Sequence, residues 1–372
     1  MKAYIINIIL CLFFSIVSDA AYKKKKNKIG TFFLILVALT MSIISGLRSE
    51  TVGTDIHNYV ISLFKDFSMY GNGIVSNYTK FGVEIGFTSL VFLFSKFNNI
   101  NFVLFGIQLA IVIPLIIYCY KVKDKIPIEL NIFIFLMTMY CYSLSMMRQS
   151  IAITIGLLAT VFFKNSENKK GFICIGIAYL FHRTSIIIFT MYFLAKNIYQ
   201  KNKNSSLYLI LMMFTTIALA VLSPKIIALL PVKYASYLGD RFTSSVNILS
   251  ILKKIVWYVP ILICINKTKN KDSELYKDMI FSGFLITMDL IVYLIGIKIP
   301  TVSRLSLYFS NIACFIYFPH IIRMFKPRIF SQILYIFVII FMWWHMTTSD
   351  TSANIYPYES EIFPKLNNVN TK

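Results

Sequence analysis

Apolar residues in this chain come in long unbroken runs rather than in alternation. Residues 29–47, 102–120, 130–147, 279–297 and 305–322 are each long enough to cross the hydrocarbon core of a bilayer as helices. A further run, 3–20, is followed by Lys23, Lys24, Lys25, Lys26 and Lys28 instead of being preceded by basic residues. That order suits a retained helix with its N-terminus outside better than a secretory signal. The pattern predicts an all-α, polytopic transmembrane helix bundle of roughly 10 to 12 membrane helices, broken or re-entrant segments included. Residues 1–347 read as one integral membrane domain. The polar tail 348–372, with Pro357 and Pro364, is expected to be a loosely ordered outer segment.

Two stretches do not fit a simple up-and-down count. Residues 84–97 would make a helix only about 21 Å long, too short to cross, and Asn98, Asn99 and Asn101 interrupt it. A re-entrant or interfacial helix on the outer side is expected there. Residues 171–195 have basic loops at both ends and should return to the side they came from, as two half-helices broken at His182 and Arg183. An uninterrupted crossing with a different topology is the alternative. Backbone can break at membrane depth only where protein or a water-filled cavity satisfies it, so both irregularities point to one outward-facing cavity.

Composition agrees with the pattern. Of 372 residues, 57% are hydrophobic and 14% charged, with a mean hydropathy of +0.70, which excludes an ordinary soluble domain. The net charge of +21 would suggest nucleic acid in a soluble protein. Here 21 of the 37 Lys and Arg fall in six short segments, 21–28, 121–128, 164–170, 196–206, 266–278 and 323–328. The positive-inside rule places these in the cytoplasm and the loops 48–83 and 223–247 outside. No nucleic-acid partner is expected. The six cysteines lie in apolar stretches without the spacing of a metal site or a disulfide framework. No Walker loop, Rossmann glycine run, HExxH or GxSxG occurs, and no inverted pair of interrupted helices of the transporter kind is evident.

Charged residues beside apolar helices are costly and mark function. Arg48 and Asp55 flank Gly53, which permits a turn that brings them back toward one cavity, with Tyr59 just beyond. Arg148 and Gln149 stand where one span ends and the next begins without a loop. His182 has the chemistry of a general base, and Ser185, three residues on, is placed to orient it. Arg304 opens a late span, and Asp240 and Arg241 add a charged pair in an outer loop. Arginines grouped at one mouth make a site for an anionic substrate. The plain alternatives are arginines reaching for headgroups and a histidine satisfied by a neighbouring helix.

Taken in order, these residues resemble the EpsG family of Wzy-like polysaccharide polymerases. The resemblance rests on Gly46 and Arg48 with Gly53, Thr54, Asp55 and Tyr59; on Glu84 before Gly86 and Phe87; on the run from Met147 to Ala152; on Phe181 and His182 with Ser185; and on Arg304. It covers roughly residues 40–310, and Arg183 departs from it, since a less charged residue is expected there. The family implies a glycosyltransferase that joins undecaprenyl-diphosphate-linked oligosaccharide repeat units on the outer face of the bacterial cytoplasmic (inner) membrane, for capsule, O-antigen or exopolysaccharide. In that reading Arg148 and Arg304 stabilise the departing diphosphate, and Arg48 holds a second diphosphate or a charged sugar. Gln149 and Tyr59 contact substrate, and His182, Asp55 or Glu84 removes the acceptor proton. No metal or other cofactor is implied; the partners are the lipid-linked oligosaccharide, membrane lipids and a regulator of chain length. A flippase or exporter of the same lipid-linked sugars, and a membrane O-acetyltransferase acting on polysaccharide, are the competing readings.

Overall fold

A computed structural model describes residues 1–200, 273–296, 300–324, 328–349 and 353–363, with helical positions 214, 218, 254, 258–265 and 268 between them. Every described element is helical. The order is α1 (Lys2–Lys23), α2 (Asn27–Gly46), a π-helical turn (Ile56–Val60), α3 (Ile61–Met69), α4 (Ile74–Phe81), α5 (Ile85–Ser95), α6 (Ile100–Val122) and α7 (Ile128–Phe135). Then follow α8 (Met147–Lys164), α9 (Asn168–Phe181), a 3-10 turn (Arg183–Ile188), α10 (Phe189–Ala195), α11 (Ser273–Ile295), α12 (Pro300–Ser303), α13 (Ser306–Met324) and α14 (Arg328–Ser349). The chain divides into two compact units: Met1–Val161 with Phe172–Ser185 and Ile333–Lys372, and Phe162–Gly171 with Ile186–Gln332.

The first unit is built inside out relative to a soluble bundle. The buried face of α1 carries Asn7, Ser15, Ser18 and Asp19, whereas Ile9 (61% exposed), Phe13 and Ile16 face outward. Such a surface has a place only against hydrocarbon. Two of these polar groups are satisfied by neighbouring helices: Ser18 Oγ donates to the Gly30 carbonyl of α2 at 2.8 Å, and Asp19 accepts the Ile128 N–H, an orphan donor at the start of α7, at 3.2 Å. On α14, Ile333, Leu334, Phe337, Phe341 and Trp344 are likewise exposed.

Six helices among the described residues are long and apolar enough to cross a membrane, and three shorter apolar ones accompany them. The protein is multi-pass. The expected 10 to 12 helices concern the whole chain, and the stretch 201–272 falls largely outside the described residues, as do the 223–247 loop and Asp240 and Arg241. The short helix expected at 84–97 is α5, 11 residues and so about 17 Å. The span expected at 130–147 begins at Ile128, loosens into a π-helical turn at Leu136–Tyr140 and ends at Ser143. The break expected at His182 is real: α9 stops at Phe181 and a 3-10 turn follows.

One expectation is corrected. The tail is not loose over 353–363: Tyr358 and Ile355 are fully buried, and Tyr358 Oη donates to the Ile44 carbonyl at 2.8 Å. The prolines suggested disorder, but hydrogen bonds to the end of α2 hold the segment.

In the second unit α11 packs against α13. Asp289, fully buried on α11, accepts from Lys254 Nζ on both carboxylate oxygens at 2.7 Å and from Tyr258 Oη on one of them. Asp278 takes Lys164 Nζ and Tyr199 Oη, both at 2.6 Å. Buried charge of this kind persists only when paired.

Orientation is open to a direct test. Lys65 is exposed on α3, within the loop that the basic-residue count places outside. Lys65→Cys in a cysteine-free background should react with an impermeant maleimide in intact cells. Labelling only after permeabilisation would reverse the topology.

Candidate active site

The segment leaving α2 reaches the site through a turn only glycine can make. Gly53 has φ +106°, and a Cβ there would lie 2.3 Å from the Leu144 carbonyl oxygen. Next to it, Thr54 Oγ1 and Ser145 Oγ share a hydrogen bond of 2.7 Å. Asp55 then falls at the N-terminus of α8. One of its carboxylate oxygens accepts the Met147 N–H at 3.1 Å, the arrangement a helix N-terminus favours for an anion. The same oxygen accepts the Tyr59 hydroxyl. The Tyr59 ring in turn lies 4.2 Å from the Arg148 guanidinium carbon and edge-on to Phe87.

Glu84 arrives from the other side, at the start of α5. Gly86 makes this approach close: a Cβ there would stand 2.8 Å from the Leu180 carbonyl oxygen, so the first turn of α5 rests directly on the end of α9. The carboxylate thereby meets three donors. Its Oε2 takes Arg148 Nη1 at 2.7 Å, and its Oε1 takes His182 Nδ1 and the Arg183 backbone N–H, both at 3.3 Å. Burial alone would raise the Glu84 carboxyl, but the His182 hydrogen bond and the Arg148 charge outweigh it and hold it down at about 2. Because an ionised carboxylate has no proton to give, His182 Nδ1 is the donor, which in a neutral imidazole leaves the lone pair on Nε2. Side-chain exposures of 9% for Glu84, 19% for Arg148 and 21% for His182 leave the cation and the imidazole reachable while their anchor is enclosed.

Of the residues singled out in the sequence, Asp55, Tyr59, Glu84, Arg148 and His182 form one connected cluster. Gln149 is buried on α8 beside it. Arg304 is exposed on the turn between α12 and α13, in the second unit. Two placements differ from expectation. Arg48 was expected at an open mouth, yet it is 2% exposed: Nη1 donates to Ser45 Oγ at 3.1 Å, Nε has no partner, and burial pushes its guanidinium down to about 10. The buried tyrosines Tyr4, Tyr140 and Tyr358 lie near enough to act on it electrostatically. Ser185 does not orient His182, since the 3-10 turn replaces the helical spacing assumed for it and leaves its hydroxyl buried without a hydrogen-bond partner. Glu84 performs that task.

Sequence reasoning missed the part played by Arg183, whose backbone donates to Glu84 and whose guanidinium donates to the Tyr78 hydroxyl at 3.0 Å. It also passed over Asp278 and Asp289, although an aspartate inside an apolar run such as Ile286–Ile291 is a visible signal.

The model of one protein family, described as the EpsG family, matches residues 31–360, nearly the whole chain. Neither a curated protein nor a solved structure matches significantly.

Proposed function

Starting from the fact that the chain belongs to the EpsG family, we propose that it is a membrane polymerase of the glycosyltransferase type, joining undecaprenyl-diphosphate-linked oligosaccharide repeat units at the outer face of the bacterial cytoplasmic membrane. The product would be a capsule, O-antigen or exopolysaccharide. The observation that carries this reading is the Glu84 carboxylate bound at once to Arg148 and His182. It sets a cation suited to a diphosphate beside an imidazole suited to a hydroxyl.

In the proposed reaction His182 Nε2 takes the proton of the acceptor hydroxyl as its oxygen bonds to the anomeric carbon of the growing glycan. The bond from that carbon to the diphosphate oxygen breaks, and the electron pair leaves with the lipid diphosphate. Guanidinium N–H groups of Arg148 not engaged by Glu84 stabilise the charge that develops there. Glu84 fixes the tautomer of His182 and the plane of Arg148. Asp55 holds Tyr59 under the guanidinium, which keeps the cation from turning toward its carboxylates alone. Asp55 and Glu84, candidates for the base on sequence grounds, each already accept two or more hydrogen bonds, so His182 fits that role better. Arg48 is assigned to electrostatic support beneath the site, and Gln149 and Tyr59 to shaping it.

The test is the lipid-linked glycan profile of a strain lacking this chain. Single repeats accumulating on the outer leaflet are expected. Accumulation on the inner leaflet would instead indicate a flippase, and normal polymer lacking acetyl groups an O-acetyltransferase.

A further inference from the structure

The turn that delivers Asp55 to the cluster is held by almost nothing of its own. Between Arg48 and Thr54 the internal backbone bond is Val52 N–H to the Ser49 carbonyl, at 3.1 Å. Beyond the Thr54–Ser145 contact and a 3.4 Å bond from Thr51 N–H to Ser49 Oγ, the grips come from the far end of the chain. Ser49 N–H donates to the Glu359 carbonyl at 2.8 Å, and Gly53 N–H to the Asn354 carbonyl at 2.7 Å. Thr51 Oγ1 donates to the Glu359 carboxylate at 2.8 Å, and Asn354 Nδ2 to the Thr51 carbonyl at 2.6 Å. Two carbonyls at the end of α2, which a helix terminus leaves without partners, are taken by Tyr358 Oη (Ile44, 2.8 Å) and Ser360 Oγ (Leu47, 2.5 Å). The strap is itself anchored, with Tyr4 Oη donating to the Ile355 carbonyl and the Tyr4 and Tyr358 rings meeting edge to face at 5.5 Å.

We infer that residues 353–363 are a positioning strap, and that Asn354 is a positioning residue whose grip on Thr51 and Gly53 sets where Asp55 stands, and through it Tyr59 and Arg148. The inference rests on the polymerase reading for the reaction that is positioned, though not for the grip itself. Asn354 suits the position for two reasons. It adopts φ +47°, which asparagine tolerates better than other side chains. Its carbonyl and its amide then reach the same turn, one accepting from Gly53 and the other donating to Thr51. Gly53 cannot drift on release without moving Thr54 from Ser145, a residue 1% exposed beneath that contact. The path onward is the one already described, from Asp55 to the Tyr59 hydroxyl and from the Tyr59 ring to the Arg148 guanidinium. None of the strap's hydrogen bonds described above goes to Arg148 or His182, so its effect should fall on turnover more than on substrate affinity.

The experiment uses the full-length chain in membranes, cysteine-free except for Ser145→Cys for maleimide labelling of that thiol, with polymerisation measured on matched chains that keep Ser145. Asn354→Val puts a β-branched side chain at positive φ and removes the amide donor; Asn354→Gly keeps the backbone conformation and loses only the donor. Labelling of the Ser145→Cys thiol should rise about tenfold in Asn354→Val and less in Asn354→Gly, as expected for loss of a few hydrogen bonds that suppress local opening. In chains carrying Ser145 unchanged, kcat should fall in the same order with KM for the lipid-linked unit nearly constant. Labelling that does not change overturns the strap whatever reaction the protein performs. Increased labelling with kcat intact, or a loss confined to KM, overturns its positioning role. Should the unsubstituted chain form no polymer, the proposed reaction fails, and the labelling series still decides whether the strap holds the turn.

Discussion

His182→Gln is expected to lower high-molecular-weight glycan per unit of membrane-inserted protein by a factor on the order of 10² or more. Glutamine keeps much of the volume and can still donate a hydrogen bond to Glu84, so the helix break should survive. What disappears is the lone pair proposed to take the acceptor proton. Asp55→Asn and Glu84→Gln are the comparisons. Near-normal polymer in His182→Gln with loss in one carboxylate variant would move the base role to that carboxylate, and loss of the protein itself would make His182 a structural histidine. The pH profile adds an independent check. Glu84 has its folded-state carboxyl depressed from 4.5 to about 2, so the stability it contributes is fully present above 4.5 and is lost only as pH falls toward 2. Glu84 therefore does not titrate in any working range near neutrality. An acidic limb in the wild-type profile near neutrality would belong to a group other than Glu84.

The second large effect is expected at the Arg148–Glu84 pair, and it should separate folding from chemistry. Arg148→Lys keeps a positive charge near Glu84 but loses the planar fork that can hold a carboxylate on one edge and a diphosphate on another, along with stacking on Tyr59. Abundance should stay near normal while polymer falls on the order of 10-fold to 100-fold. Glu84→Gln should differ in kind, because it leaves a largely enclosed guanidinium without its counter-ion, which costs several kcal/mol, and both abundance and activity should drop. Removing both charges, as Glu84→Gln with Arg148→Gln, should restore much of the abundance and none of the activity. Normal polymerisation by Arg148→Lys would reduce Arg148 to a point charge. Full abundance of Glu84→Gln alone would mean that the pair is not needed to hold α5 against α8.

How the cluster assembles explains why some of it could be read in advance. The helical, membrane-crossing class, the shortness of 84–97 and the break at His182 were legible because apolar run length against bilayer thickness is a local quantity, countable residue by residue. The candidate residues Asp55, Tyr59, Glu84, Arg148 and His182 were legible for a related reason, since a charge or an imidazole beside an apolar run is conspicuous without any fold. Partnership is not local. Glu84 meets Arg148, 64 positions away, and His182, 98 positions away, and only the close approach of α5 to α9 at Gly86 brings them within reach. Hence composition and order left the base open among three residues, and the proposal of His182 draws on the hydrogen bonds that the two carboxylates already accept.

The same division accounts for the misreadings. Ser185 was paired with His182 on the assumption of regular helical spacing, which the 3-10 turn removes. Arg48 looked like a mouth residue because charge belongs at the membrane surface, yet it is buried, with tyrosines from α1, the segment after α7 and the tail within electrostatic reach. The tail looked loose because it is polar and contains proline, and nothing in residues 353–363 by themselves reveals that the end of α2 lacks partners for its last carbonyls. The sequence by itself determined a multi-pass helical membrane protein and which side chains could carry chemistry, through hydrophobic run length and the cost of charge in an apolar run. Only the tertiary structure decided which of those side chains meet and which are sealed away, because hydrogen bonds between residues tens to hundreds of positions apart depend on helix packing that no local pattern encodes.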